Sequence, residues 1–152
     1  MNKRKGILLI VVVLCFGILI GGYLFSKSQP RSLIALNQCR SCLTQEDFLG
    51  LLASAGIQNF SGAMPLKVCE TDKTIAVKLP FSAERRIHYV IVPKKDIKNI
   101  GEISGANEQY FTDAFYVARW IIEQGKLSKY YLYTNGPELQ HVTYLHFHLI
   151  VE

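Results

Sequence analysis

An uninterrupted apolar segment near the N-terminus, from Gly6 to Phe25, constrains this chain more than any other feature. It contains no charged side chain, and about 20 apolar residues in a helix span the roughly 30 Å hydrocarbon core of a bilayer. A cleavable signal peptide has a shorter apolar core, about 7–15 residues, that ends in small residues. Gly21 and Gly22 keep that alternative open, but the length favours residues 1–25 as a retained single-pass membrane anchor, inserted through residues 6–25.

The formal net charge of +5 is unevenly distributed. Lys3, Arg4 and Lys5 precede the apolar segment, so the rest of the chain has only a small positive excess. This balance lacks the basic surface of a nucleic-acid-binding protein, so no nucleic-acid polymer is expected as a partner. Basic residues mark the cytoplasmic flank of a span. We therefore expect the C-terminal domain on the non-cytoplasmic side, although Lys27 and Arg31 on the other flank oppose this orientation.

The pattern after the apolar segment predicts an α+β domain. Residues 26–37 are polar and interrupted by proline, as in a linker, and residues 38–152 form the domain. Consecutive strands joined by short turns favour an antiparallel sheet of about five strands, with a long helix packed on it and the helices on one side. Helices are predicted at 44–55 and 108–124, and strands at 66–70, 74–79, 86–92, 130–134 and 142–151.

Local signals define the ends of both predicted helices. Thr44 can cap the first helix, whose apolar residues Phe48 and Leu52 recur on one face, and Gly56 is expected to end it. The second helix has apolar residues at spacings of three and four, and Gly125 is expected to stop it.

The last predicted strand carries a pattern typical of a functional site. Side chains alternate between the two faces of a strand. Tyr144, His146 and His148 therefore share one face, while Leu145, Phe147 and Leu149 share the other, which is apolar and faces the core. A single histidine on a strand is more often structural than functional, but two adjacent imidazoles on the polar face favour a site.

Two segments resemble the motifs of one protein family. The sequence Gln-His-Val-Thr-Tyr-Leu-His-Phe-His-Leu-Ile at 140–150 resembles the signature of the histidine-triad (HIT) nucleotide hydrolases and transferases. That signature is a glutamine followed by three histidines that alternate with hydrophobic residues. The segment Ile-His-Tyr-Val-Ile-Val-Pro-Lys-Lys at 87–95 resembles the family's strand that ends in Ile-Pro-Lys. The resemblance extends over roughly residues 66–152 and implies a HIT-like fold.

The resemblance also implies roles for individual residues. His146 matches the nucleophile that attacks the α-phosphorus of a nucleotide and forms a nucleotidyl-histidine, which water then cleaves. His148 matches the histidine that contacts phosphate oxygens, and His88 matches an upstream histidine that supports the catalytic strand. Substrate binding is implied for Gln140, Tyr144 and Asn135. The implied partner is a nucleotide or a nucleotidylated small molecule, and a homodimer through the long helix and neighbouring strands is a candidate assembly.

Two departures from the family pattern leave a second interpretation open. Tyr144 replaces the first histidine of the triad, and a phenol with a pKa of about 10 cannot shuttle protons near neutral pH. The loop before Gln140 is shorter than in the family, with Glu138 and Leu139 where glycine would let the backbone approach phosphate. The alternative to an enzyme is therefore a catalytically degenerate HIT-like domain that binds nucleotides or proteins.

The Cys39-x-x-Cys42 motif could form a disulfide, half of a zinc site or a redox pair. Some HIT proteins bind zinc through such a pair, a histidine after the Pro-Lys strand and the first triad histidine. Here Asp96 and Tyr144 stand near the last two positions, and tyrosine is an unusual zinc ligand. We therefore expect no cofactor and no metal, with Cys39 and Cys42 as weak zinc candidates. A redox or metal module built on this pair is a third interpretation.

Overall fold

The computed structural model describes residues 3–29, 44–80 and 86–152. Its helices are α1 (Lys3–Phe25), α2 (Gln45–Phe60) and α3 (Glu108–Gly125). Its strands are β1 (Lys67–Glu70), β2 (Thr74–Lys78), β3 (Ile87–Pro93), β4 (Tyr130–Tyr133) and β5 (Phe147–Val151). The predicted α+β class and the number of strands are confirmed for this part of the chain.

The five strands form one antiparallel sheet in the order β1-β2-β3-β5-β4. The hairpin β1–β2 is followed by β3, and α3 then connects β3 to β4 on the far edge. The last strand, β5, inserts between β3 and β4. Its register pairs Val90 with His148 on one side and Tyr133 with His148 on the other. His148 therefore lies on an inner strand of the sheet, and His146 lies directly before that strand.

Helices cover both faces of the sheet. On one face α3 contributes Ala114 and Ala118 to a core that contains Ile91 and Leu149. On the opposite face Ile57 of α2 joins a smaller cluster with Ile75, Val92 and Tyr144. The expectation that the helices share one side was wrong, because successive strand residues alternate between faces and both sets are apolar here.

Helix α2 begins as predicted but ends later. The Thr44 side chain accepts a hydrogen bond from the backbone N–H of Asp47, which confirms the cap. Gly56 does not end the helix, which continues to Phe60. Burial of Ile57 against the sheet stabilises this last turn, offsetting a glycine cost of roughly 0.5–1 kcal/mol. Phe48 and Leu52, expected on the buried face, are about half exposed.

Strand β5 is shorter than predicted, because the backbone of residues 142–146 forms hydrogen bonds with segments outside the sheet. The backbone N–H of Thr143 donates to the carbonyl of Glu46, and that of Leu145 donates to the carbonyl of Ile97. The alternation of faces nevertheless continues. Leu145 is fully buried in the α3 core, while Tyr144 is buried in the cluster beneath α2.

Among the described residues, one helix is long and apolar enough to cross a membrane, and it runs from Lys5 to Phe25. The segment that follows it is attached to the domain. The Oγ atoms of Ser28 and Ser54 are 2.9 Å apart, and the backbone N–H of Gln29 donates to Oδ2 of Asp96 at 2.8 Å. Residues 26–29, expected to be linker, therefore pack on α2 and the loop after β3.

Candidate active site

The sheet brings together the three histidines that the sequence singled out. His88 on β3 and His148 on β5 are diagonal neighbours across the strand pair, and Nε2 of His88 lies 2.9 Å from Nδ1 of His148. The ring of His146 stands edge-on to that of His148, with 4.8 Å between the ring centroids. Tyr133 of β4 packs on the other side of His148 at 5.0 Å. The result is a row of imidazoles on the α2 face of the sheet.

The tautomer of His146 follows from its hydrogen bond. Its Nδ1 lies 2.6 Å from the backbone carbonyl oxygen of Tyr144. A carbonyl oxygen can only accept, so Nδ1 carries the hydrogen, and in a neutral ring the Nε2 lone pair is free to react. The hydroxyl of Thr134 donates to the backbone carbonyl of His146 at 2.7 Å, which holds this residue just before β5 begins. The ring is therefore oriented by the carbonyl of Tyr144, while Thr134 holds the backbone of His146.

His148 is held in its neutral form. Burial, with smaller contributions from His146 and His88, lowers the pKa of His148 to about 4. Burial and the neighbouring His146 also lower the pKa of His88. Among the described residues, the buried Nε2 of His148 has no hydrogen-bond partner. When His88 donates to Nδ1, a neutral His148 carries its hydrogen on this Nε2, so the atom is a donor without an acceptor.

Gln140 provides a second buried donor without an acceptor among the described residues. Its side chain is buried, and its Nε2 has no hydrogen-bond partner within the part of the chain that the structure describes. It lines a cavity of about 500 Å³ together with His141 and Thr143 from its own segment and Glu46 from the start of α2. His141 is exposed there. Asn135 is half-buried two residues after β4 ends, at the start of the same loop.

Tyr144 occupies the place of the first triad histidine as a buried side chain, with 1% of its surface exposed. Its hydroxyl lies 3.0 Å from the carbonyl oxygen of Pro93 and 3.1 Å from that of Lys94. The hydroxyl hydrogen is thus directed at the backbone where β3 ends. The ring itself lines an apolar cavity beside His146.

An apolar cavity of about 190 Å³ lies beside His146. Two of its walls, Ala53 and Ile57, come from α2, and the sequence patterns did not single them out for the site. Only the docking of α2 onto the sheet brings them there. The remaining lining comes from the sheet and the segment before β5: Val90, Val92, Val142, Tyr144 and His146.

Of the four positions that hold zinc in some HIT proteins, only two lie within the described residues of this chain. Cys39 and Cys42 lie outside them. Asp96 is buried and accepts the hydrogen bond from Gln29, and the Tyr144 hydroxyl faces two carbonyl groups. Within residues 3–29, 44–80 and 86–152, no group of three His, Cys, Asp or Glu side chains could hold a metal ion.

Comparison with known proteins identifies the fold. No family model and no curated protein matches the sequence. A HIT family hydrolase from Clostridium thermocellum is 28% identical, over 63% of this chain and 87% of that one, with a TM-score of 0.55. A HIT family hydrolase from Legionella pneumophila is 23% identical over 61% and 87%, with a TM-score of 0.53. A histidine triad protein from Clostridium difficile is 21% identical over 63% and 87%, with a TM-score of 0.54.

The chain therefore has the fold of the HIT superfamily. This confirms the resemblance carried by residues 87–95 and 140–150. The roles of individual residues remain predictions.

Proposed function

We propose that this chain is a membrane-anchored nucleotide hydrolase or transferase in which His146 attacks the α-phosphorus. The observation that carries the proposal is the hydrogen bond from Nδ1 of His146 to the carbonyl of Tyr144, which directs a lone pair to Nε2. The same bond would stabilise the positive charge that the ring acquires when Nε2 bonds to phosphorus. The 28% identical structural neighbour from Clostridium thermocellum is described as a hydrolase, which is consistent with this chemistry.

The reaction would proceed in two displacements. Nε2 of His146 forms a bond to phosphorus while the bond to the leaving group breaks, and the leaving group departs with the electron pair. Water then attacks the nucleotidyl-histidine, the N–P bond breaks, the proton of the attacking water passes to solvent, and His146 is regenerated. An acceptor alcohol or amine in place of water gives transfer. Phosphoryl transfer depends mainly on positioning and on stabilising charge. The donors suited to the phosphate oxygens are Nε2 of His148 and Nε2 of Gln140.

The two cavities suit different parts of such a substrate. An apolar ring such as a nucleobase suits the cavity between α2 and the sheet, whose lining is aliphatic apart from Tyr144 and His146. The more polar cavity at Gln140 suits the group beyond the phosphorus.

One observation favours the alternative, a nucleotide-binding module without turnover. Because the Tyr144 hydroxyl is directed at the carbonyls of Pro93 and Lys94, it does not replace a histidine as a proton donor to the leaving group. A leaving group that needs no proton would still be displaced by His146. Turnover on any substrate therefore decides between the two functions.

The proposed experiment compares His146→Ala with wild type on a panel of adenylylated and guanylylated compounds. The variant should lose turnover but keep nucleotide affinity, because nucleophilic attack contributes in the transition state rather than in the ground state. Intact-mass measurement on wild type should show an acid-labile adduct of one nucleotidyl group. The control is Gln124→Ala, an exposed residue near the end of α3 on the opposite face of the sheet, which should retain both turnover and adduct.

One outcome of this experiment would assign binding without turnover to the domain. If wild type and His146→Ala bind nucleotide alike, and wild type gives neither adduct nor product on any compound in the panel, the domain is a binding module. The fold assignment would stand.

A further inference from the structure

The outer face of α2 is apolar although it faces away from the sheet. Phe48, Leu49, Leu52 and Phe60 are 51%, 37%, 47% and 56% exposed. After Asp47, α2 carries no charged residue as far as Phe60. A helix on the surface of a water-soluble domain normally has charged residues opposite its buried stripe. The composition of this face is therefore suited to an apolar environment.

This exposed face adjoins the site. Residues four apart lie next to each other along a helix, so Phe48, Leu52, Gly56 and Phe60 form one row. The neighbouring row begins with the exposed Leu49 and continues with Ala53 and Ile57, which line the cavity beside His146. The wall of that cavity is therefore continuous with the exposed apolar face.

The contacts of α1 place this face close to the end of the apolar helix. The side-chain amide of Asn59 donates to the backbone carbonyl of Leu24 at 3.3 Å, and the hydroxyls of Ser28 and Ser54 bond to each other. Leu24 is in the last turn of the 21-residue segment Lys5–Phe25, which is long enough for a hydrocarbon core of roughly 30 Å. If α1 spans the bilayer, the second half of α2 lies at the depth where the span leaves the hydrocarbon.

We propose that the outer face of α2, formed by Phe48, Leu49, Leu52 and Phe60, is a membrane-binding surface that rests in the interfacial layer of the bilayer. The inference depends on the membrane anchoring proposed above. An apolar helix face buried at the boundary between headgroups and acyl chains is the usual geometry of an interfacial helix. Because this face carries no basic residue, its binding depends on burial of apolar area and not on anionic lipids.

The experiment uses tryptophan fluorescence of the full chain in phosphatidylcholine vesicles. Trp120, the single tryptophan, lies on α3, across the sheet from α2, and is partly exposed. Leu52→Trp is introduced into a Trp120→Phe background and compared with the native chain. Lipids brominated near the headgroup end of the acyl chain should quench the introduced indole several-fold more than they quench Trp120. Phe48→Trp in the same background is the second probe, and quenching should be the same with neutral and anionic lipid.

Two results would overturn the proposal, and they differ in what else they affect. If alkaline extraction removes the native chain from the vesicles, the membrane anchor fails and the docking surface fails with it. If the chain stays in the membrane but neither introduced indole is quenched more than Trp120, only the docking surface fails. An unquenched indole with blue-shifted emission would show that a second copy or residues 30–43 cover α2 instead. The nucleotidyl adduct on His146 is measured in detergent, independently of these outcomes.

Discussion

At the scale of single residues, the three histidines of the site differ in what their surroundings allow. His146 is oriented by one bond to the carbonyl of Tyr144, whereas His88 and His148 are bonded to each other. Burial, with a smaller contribution from the neighbouring His146, lowers the pKa of both His88 and His148 and favours their uncharged forms. A neutral His148 that carries its hydrogen on Nε2 can still donate a hydrogen bond to a phosphate oxygen.

The depressed pKa of His148 predicts that the fold loses stability in mild acid. An unfolded histidine binds a proton near pH 6.5, whereas folded His148 binds one only near pH 4. Between these values the unfolded state holds more protons, so the free energy of unfolding falls as pH falls. Urea unfolding at pH 7 and pH 4.5 should show this loss, and His148→Asn should reduce it. The control His141→Asn should keep the wild-type dependence, and an unchanged slope in His148→Asn would contradict the prediction.

Tyr144 is predicted to act through its hydroxyl on the fold and through its ring on the site. Tyr144→Phe leaves the carbonyls of Pro93 and Lys94 without this donor and should lower the free energy of unfolding by about 1–3 kcal/mol. The ring that lines the cavity is kept, so KM should change little. Tyr116→Phe, on the exposed surface of α3, is the control for stability. A large rise in KM would instead assign the hydroxyl to substrate binding.

At the scale of elements, α2 is the part of the fold that joins the site to the N-terminal helix. Its first turn accepts a hydrogen bond from the segment before β5, and its last turns donate one to the end of α1. Its middle lines the apolar cavity. Any shift of α2 along its axis would therefore alter the cavity beside His146. The cap at its start is the most local test of this coupling.

Thr44→Ala is predicted to lower the free energy of unfolding by about 1 kcal/mol, because the backbone N–H of Asp47 loses its acceptor. Thr44→Ser keeps the hydroxyl and should restore most of that loss. Urea unfolding of both variants measures the effect. Equal stability of the alanine and serine variants would show that the cap contributes little to α2.

Sequence periodicity predicted each element to the extent that local interactions determine it. The apolar spacing of α3 and the cap of α2 depend on neighbours within one or two turns, and both were confirmed. The predicted end of α2 and the predicted start of β5 were wrong. Their outcome depends on Ile57 packing against the sheet and on backbone bonds from residues 143 and 145 to Glu46 and Ile97, all distant in sequence.

At the scale of the whole molecule, the orientation of the domain is a prediction from charge. Lys3, Arg4 and Lys5 precede the apolar segment, and basic flanks remain in the cytoplasm. A reporter that is active only after export, fused after Glu152, should therefore be active. Replacing all three residues by serine should reduce that activity. A fusion active only with a cytoplasmic reporter would reverse the orientation.

The sequence by itself determined the apolar helix, the alternation that separates Leu145, Phe147 and Leu149 from His146 and His148, and the family resemblance. These depend on chain geometry and on residue types that are close in sequence. Only the tertiary structure decided that β5 inserts between β3 and β4, which brings His88 to within 2.9 Å of His148, 60 residues away. It also decided that α2 covers the histidine face. Strand neighbours and helix docking are set by long-range burial of apolar surface, which a local pattern does not encode.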